Sequence, residues 1–319
     1  MQSTRRGFMG AIVAGLVVSA PAPVLAQEYP LAKPVTFFSA FPPGGVLTAI
    51  FDKLAAGIKK EIGGELILDY KPGGATTIAA VHVAKAPADG YTFLITTKST
   101  HLKSFDDGAQ YKATDLVPVG NMVELAETMF IGGHVGAKTL PELIAHFNAK
   151  PGAVPVATGA PGTYTGTLAA AVEKELGVTF NKVPYAGSQL FRDAIVAGTA
   201  DVALGGTLPG TEDFVANGQI IPVAVFAGQR LPGAPDLPTF AELGYPGLTE
   251  ENFYGIYAPA GTPRPILEKM NAAISAVLSS PEYAEEMVRM GFWVNPRNLD
   301  ELAAVQAADD AKLRAWLGK

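Results

Sequence analysis

Short apolar runs alternate with longer stretches of helical spacing along most of this chain. Residues 35–38 (Val-Thr-Phe-Phe) read as a strand, and Ser39-Ala40-Phe41-Pro42-Pro43-Gly44-Gly45 as a turn. Leu47, Ile50, Phe51, Leu54 and Ile58 then recur on one helix face until Gly63-Gly64. Residues 66–68 predict a second strand, Lys71-Pro72-Gly73-Gly74 a turn, 77–85 a second helix and 91–95 a third strand. Strands and helices alternating at this spacing imply parallel sheets, whose ligands gather at the carboxyl ends of the strands. Those ends are 42–45, 72–75 and 96–101. The first is a strand, a Pro/Gly turn and a helix start in that order, which aims free backbone N–H groups at a small anion.

The rhythm resumes after Val119. Thr139-Leu140-Pro141-Glu142 is a capping box opening a helix over 141–148. A strand over 154–158, a loop over 159–163, a helix over 168–176 and a strand over 179–183 follow, leading to Pro184-Tyr185-Ala186-Gly187. The stripe Leu190, Phe191, Ala194 and Ile195 predicts a helix ended by Gly198, and 201–204 and 221–226 read as strands. After a Pro-rich stretch come a second capping box at Thr239 and Glu242, a strand over 253–258, and helices from Pro265, Pro281 and Leu299. No strand-rich block follows, so the last helices complete the first unit and the chain crosses twice. The expected division is an α/β lobe of residues 27–122 plus 254–319 and a second α/β lobe of 123–253, a clamp with a double hinge.

The start of the chain adds an address. Arg5-Arg6 precede an apolar run over 11–20, and Val24-Leu25-Ala26 supplies the small residues of a cleavage point, so residues 1–26 read as a secretory signal cut after Ala26. Arg-Arg-x-Phe resembles a twin-arginine signal, with an ordinary Sec signal the other reading. Either sends the protein to the periplasm. The apolar run is too short to span a bilayer. Losing Arg5 and Arg6 moves the formal charge from −6 to −8, which argues against nucleic acid or anionic membrane as partners. With no cysteine, disulfides, thiolate metal sites and cysteine nucleophiles are excluded. His82, His101, His134 and His146 lack metal-ligand spacing, and there is no Gly-x-Ser-x-Gly elbow or P-loop. The expectation is no metal, no cofactor and no catalytic residue.

Read together, the segments resemble the tripartite tricarboxylate transporter substrate-binding family, the Bug or TctC type of receptor. Phe41-Pro42-Pro43-Gly44-Gly45, Lys71-Pro72-Gly73, residues 84–92 (Ala-Lys-Ala-Pro-Ala-Asp-Gly-Tyr-Thr), Val183-Pro184-Tyr185, Leu237-Pro238-Thr239 and residues 258–263 (Ala-Pro-Ala-Gly-Thr-Pro) carry the resemblance in order. It implies a type II periplasmic-binding-protein fold, expected as a monomer, whose lobes close on a small carboxylate and present it to a membrane permease. Phe41, Pro43, Gly44, Gly45, Gly74 and Ala75 are the expected ligand loops of the first lobe, with Ser99 and Thr100 at the third strand end. The resemblance adds Gly162, Thr163, Tyr185 and Gly187 in the second lobe, with Thr163 preferred over Tyr164 as the hydroxyl donor.

Thr48, Asp52 and Lys98 are among the positions where the family has other residues. Thr48 replaces an acid and either donates to the ligand or faces its own helix. Lys98 replaces a small residue and either pairs with an anion or is a solvated loop lysine. Asp201 matches a family Asp and is read as an organiser of nearby loops before a ligand contact. His101 is expected at the cleft rim. Dicarboxylates and aromatic acids both suit these loops. A receptor reporting to a membrane sensor kinase is the alternative on the same scaffold, and an exported α/β hydrolase or isomerase is a third reading.

Overall fold

In the computed structural model, which describes residues 29, 33–44, 46–185, 187–231 and 233–318, the apolar runs pair into two five-stranded sheets. The signal segment, Gly45 and Ala186 lie outside the described residues. The first sheet takes β1 (Val35–Ser39), β2 (Leu66–Tyr70), β3 (Thr92–Thr96), β4 (Leu116–Leu125) and β10 (Asn252–Pro259) in the order β2-β1-β3-β10-β4. The second takes β5 (Thr128–Gly132), β6 (Pro155–Thr158), β7 (Asn181–Pro184), β8 (Val202–Leu204) and β9 (Ile220–Val225) in the order β7-β6-β8-β5-β9. In each sheet the one antiparallel strand is the strand that the chain lays down on arriving from the other lobe, β10 or β5. Both lobes therefore share one topology, that of the type II binding-protein fold.

The helices follow from buried stripes. α1 (Val46–Ile62) buries Leu47, Ile50, Phe51, Leu54 and Ile58 against the first sheet, where α8 (Arg264–Leu278) packs beside it. α2 (Thr77–Ala84) buries Ala79, Ala80 and Val83. In the second lobe α4 (Leu140–Ala149) starts at the expected box: Thr139 Oγ1 accepts the Glu142 N–H at 3.4 Å and Glu142 Oε2 accepts the Thr139 N–H at 3.2 Å. α5 (Tyr164–Leu176), α6 (Ser188–Val196) and the short α7 (Glu212–Ala216) complete that lobe. α9 (Pro281–Arg289) and α10 (Leu299–Leu317) return to the first. The box at Thr239 forms its two hydrogen bonds, of 2.8 and 3.1 Å, but caps a turn and no helix.

The crossings fall at 126–127 and 250–251, against expected divisions after 122 and 253. Residues 226–251 stay with the second lobe, because Val225 and Phe240 exchange backbone bonds with Pro238 and Val225, and Glu250 N–H reaches Phe226 O at 3.1 Å. Two segments depart from expectation. Residues 97–101, read as a loop, open α3 (Lys98–Ser104), whose Leu102 together with Phe105 joins the second lobe's hydrophobic core. α10, assigned wholly to the first lobe, sends Leu313 into that same core. Helices α3, α5 and α10 thus clasp the two lobes together on one face of the hinge.

Leu313 is fully buried. Leu313→Ala should cost ~2–5 kcal/mol from lost burial and the cavity left behind, read as a lowered midpoint in chemical denaturation.

Candidate functional site

Strand direction sets where a ligand meets the chain. β4 runs parallel to β1, β2 and β3 and enters the first crossing at its carboxyl end, so the carboxyl ends of those strands face the second lobe. By the same logic β6, β7 and β8 aim their carboxyl ends at the first lobe. Two sets of loops therefore confront each other. They touch beside the hinge, where the Tyr164 N–H donates to Ser99 Oγ at 3.2 Å.

On the first lobe Pro43 and Gly44 are exposed, and Phe41 is half-buried with its ring edge-on to Tyr254, centroids 5.9 Å apart. Thr48 turns its hydroxyl back on the start of its helix, donating to Gly44 O at 3.2 Å and standing 3.4 Å from the Tyr70 hydroxyl. The loop after β2 holds four consecutive residues at positive φ: Gly73 (121°), Gly74 (58°), Ala75 (50°) and Thr76 (81°). A left-handed conformation costs a non-glycine residue ~1–2 kcal/mol, so Ala75 and Thr76 are strained. What holds them is a buried chain of hydroxyls: Thr96 bonds Thr100, and Thr100 Oγ1 donates to Thr76 Oγ1 at 2.8 Å. Thr100, expected to touch ligand, is 1 % exposed and serves inside this chain. Thr76 itself escaped sequence reading, since nothing in its neighbourhood marks a left-handed threonine.

On the second lobe Thr163 caps α5, accepting the Gly166 N–H at 3.2 Å and donating to Ala160 O at 2.7 Å. The loop folds so closely on that turn that a Cβ at Gly166 would overlap the Ala160 carbonyl oxygen. Gly162 (φ 78°) lies against Lys103 of α3, Gly187 (φ 145°) caps α6, and Tyr185 is half-buried with its N–H on Thr158 O at 2.9 Å. Tyr164 packs inside, its hydroxyl buried without a partner among the described residues. Ser188, Gly205, Gly206 and Thr207, which the sequence did not single out, line a crevice of about 160 Å³.

Lys98 fits neither reading made of it. It is 3 % exposed, and its ammonium bonds Glu250 and stands 3.0 Å from Asp309. Lys312 meets the other oxygen of Glu250 at 2.6 Å, and Arg297 and the Trp293 indole hold Glu124 nearby. A buried cation requires such partners. His101, one turn along α3, is also buried, its ring tilted against Tyr257 with centroids 5.3 Å apart, and 3.0 Å from Asp310 without the alignment a hydrogen bond needs. Asp201 precedes β8 at the end remote from the cleft. Its carboxylate takes His134 at 3.3 Å and His146 at 2.8 Å, so it organises the far side of the lobe and cannot reach the ligand loops.

Glu127, on the first crossing, is the carboxylate that sequence reading missed. Oε2 accepts the Gly206 N–H, Oε1 accepts Asn252 Nδ2 at 3.3 Å, and its backbone oxygen accepts the Phe226 N–H at 2.9 Å. It thereby ties both crossings to the loop after β8. Burial pushes its carboxyl up against the opposing effect of the Gly206 N–H. Burial, and after it the Glu127 charge, pushes the Tyr254 hydroxyl up to about 12. Burial likewise raises Asp309, outweighing the attraction of Lys98. Among the described residues no group of three or more His, Asp or Glu is placed to hold a metal, and no helix is long and apolar enough to cross a membrane.

Facing loops on two lobes of one topology are the frame of a solute receptor, and the sequence model of the tripartite tricarboxylate transporter family receptor matches residues 50–315. The chain belongs to that family. This receptor is 29% identical to the protein BugT of Bordetella pertussis over 276 residues, covering 85% of this chain and 83% of BugT. It is 27% identical over 290 residues to a protein of the tcbD–tcbE intergenic region of Pseudomonas sp. strain P51, covering 90% and 86%. Among solved structures, Rpa4515 of R. palustris with adipate superposes with a TM-score of 0.79 at 26% identity, over 91% of this chain and 98% of that one. The periplasmic binding protein BugD gives 0.74 at 25% identity, over 89% and 95%.

Breaking one side of a buried ion pair is costly, so Lys98→Met should destabilise the receptor by ~3–5 kcal/mol in chemical denaturation. Because the folded receptor holds the Glu127 proton longer than the unfolded chain does, stability falls as pH climbs from the ordinary carboxylate range through the raised value. Glu127→Gln removes that fall. Its Tm relative to wild type should grow between about pH 4 and about pH 8, and a constant difference would show that Glu127 keeps its ordinary acidity.

Proposed function

We propose that the protein is exported to the periplasm, captures a small organic carboxylate by closing its two lobes, and presents it to the permease of a tripartite uptake system. The observation that carries this reading is the opposition of the two loop sets, with the left-handed run Gly73–Thr76 on one side and the capped starts of α5 and α6 on the other. Backbone N–H groups at helix starts and rigid turns stabilise a carboxylate without a dedicated cation. That matters here because Lys98 is committed to Glu250 and Asp309. Strain held in place at a loop is characteristic of sites that are built before the ligand arrives. The likeness to a relative whose structure holds adipate supports a carboxylate as the ligand. Phe41, Pro43, Gly44, Gly45, Gly74, Ala75, Ser99, Gly162, Tyr185 and Gly187 are the candidate contacts.

Lobe closure suits this architecture, since two chain crossings and the clasp of α3, α5 and α10 form a hinge on one face of the molecule. A thermal-shift panel of mono-, di-, tricarboxylic and aromatic acids tests the reading. An acid at 100 times its Kd should add about 2.7 kcal/mol of stability, and recovery of the acid unchanged separates a receptor from a hydrolase or isomerase. A flat response to every acid would refute the carboxylate.

A further inference from the structure

A cavity of about 540 Å³ opens between the lobes. Leu208, Pro209, Val215 and Leu231 of the second lobe face Phe292 and Trp293 of the first across it. Its volume is that of a small-molecule site, and its walls are mostly hydrocarbon. The polar side chains around it are engaged elsewhere. Thr211 donates to Leu208 O, Glu212 accepts the Gly210 N–H at 2.8 Å, and Arg289, the one cation among the described lining residues, bonds Glu286 at the surface. A carboxylate entering would lose its water, would meet the Glu212 carboxylate, and would find as a charged donor among the described lining residues the Arg289 guanidinium alone, which lies at the surface paired with Glu286; that exchange is costly. An apolar group entering would lose only unfavourable hydration.

The cavity adjoins the ligand loops on both lobes. Phe292 lies 6.5 Å from the Tyr254 ring, which in turn meets Phe41 at the end of β1. Pro209 and Thr211 form part of its wall and part of the wall of the crevice under Ser188, Gly206 and Thr207. Beside it Gly291 (φ 79°) lies so close to Pro209 that a Cβ there would overlap the proline ring. The two lobes thus meet at the cavity's edge, and its walls move together or apart with them.

We propose, building on the carboxylate reading, that the ligand is an organic acid with one charged end and a bulky apolar body, an aryl or branched alkyl group, and that the body fills this cavity. The charged end stays at the loop amides. A linear dicarboxylate is then a poor ligand, because its distal charge meets hydrocarbon.

Calorimetry with 3-phenylpropionate and adipate tests this on the wild-type receptor and on two variants. Ala216→Trp fills the cavity from the exposed end of α7, and Val288→Asp places a charge on its wall at a side chain that is 48 % exposed, so neither change disturbs the core. Native circular dichroism confirms folding. Wild type should bind 3-phenylpropionate about ten-fold or more tighter than adipate, and each variant should weaken 3-phenylpropionate by about ten-fold while changing adipate by less than about three-fold. Tighter binding of adipate, or 3-phenylpropionate affinity unchanged in both variants, would overturn the apolar body and leave a carboxylate receptor standing. Absence of heat from both acids, and from the wider panel, would overturn the carboxylate reading itself.

Discussion

Lys98 carries its ammonium to a place where 3 % of the residue meets solvent, and it is met there by Glu250 from the second crossing and Asp309 from α10. Three segments remote in sequence are thereby fixed around one point. α3 begins at that point, so the direction of Thr97 and Ser99 in its first turn is set by the same charges that organise the hinge. The strained loop after β2 depends on α3 in turn, through the bond from Thr100 to Thr76. A local electrostatic requirement thus propagates into the shape of the site. Acids are concentrated there as well: Glu124, Glu127, Glu250, Glu251 and Asp309 lie in one region, and burial raises Glu127, Glu251 and Asp309.

Several hydroxyls of the cleft are committed to the fold. Thr96, Thr100 and Thr163 spend theirs on the protein, holding loops and capping α5. What they hold in place are backbone segments at Gly74, Ala75 and Gly162, which have little side chain to obstruct a ligand. On the proposed reading, recognition by main chain supported from behind by side chains lets an acidic protein accommodate an anion without presenting a lysine to it.

Much of the fold was legible because one buried face writes a period into the sequence. α1, α4 and α8 show stripes that need no partner to be recognised. β4 and β5 were missed for the opposite reason. From Gly120 to Gly132 every residue is buried, and buried Asn121, Glu124, Glu127 and Thr128 interrupt the apolar run, so the alternation that marks a half-buried strand is lost. The loops of the candidate site were legible as turns from Pro and Gly punctuation, whereas the hydrogen-bonding roles of individual side chains were not. Lys98 and Glu250 are separated by 152 residues, and no local pattern announces such a pairing. Asp201 matched a family position in sequence, but its bonds to His134 and His146 depend on which end of β8 it occupies.

The clasp made by α10 has a consequence for the order of folding. The second lobe is built from the middle of the chain, yet its core contains Leu313 from the far end. A growing chain can pair β5 through β9 as soon as they emerge, but that lobe keeps an open apolar face until the C-terminal helix has been synthesised and has travelled back across the first lobe. Contacts so distant in sequence are closed late and at the expense of loop entropy. Full stability of either lobe is therefore a property of the finished chain, and a receptor cut short within α10 leaves exposed, in its most conspicuous form, the surface that nascent chains hide last.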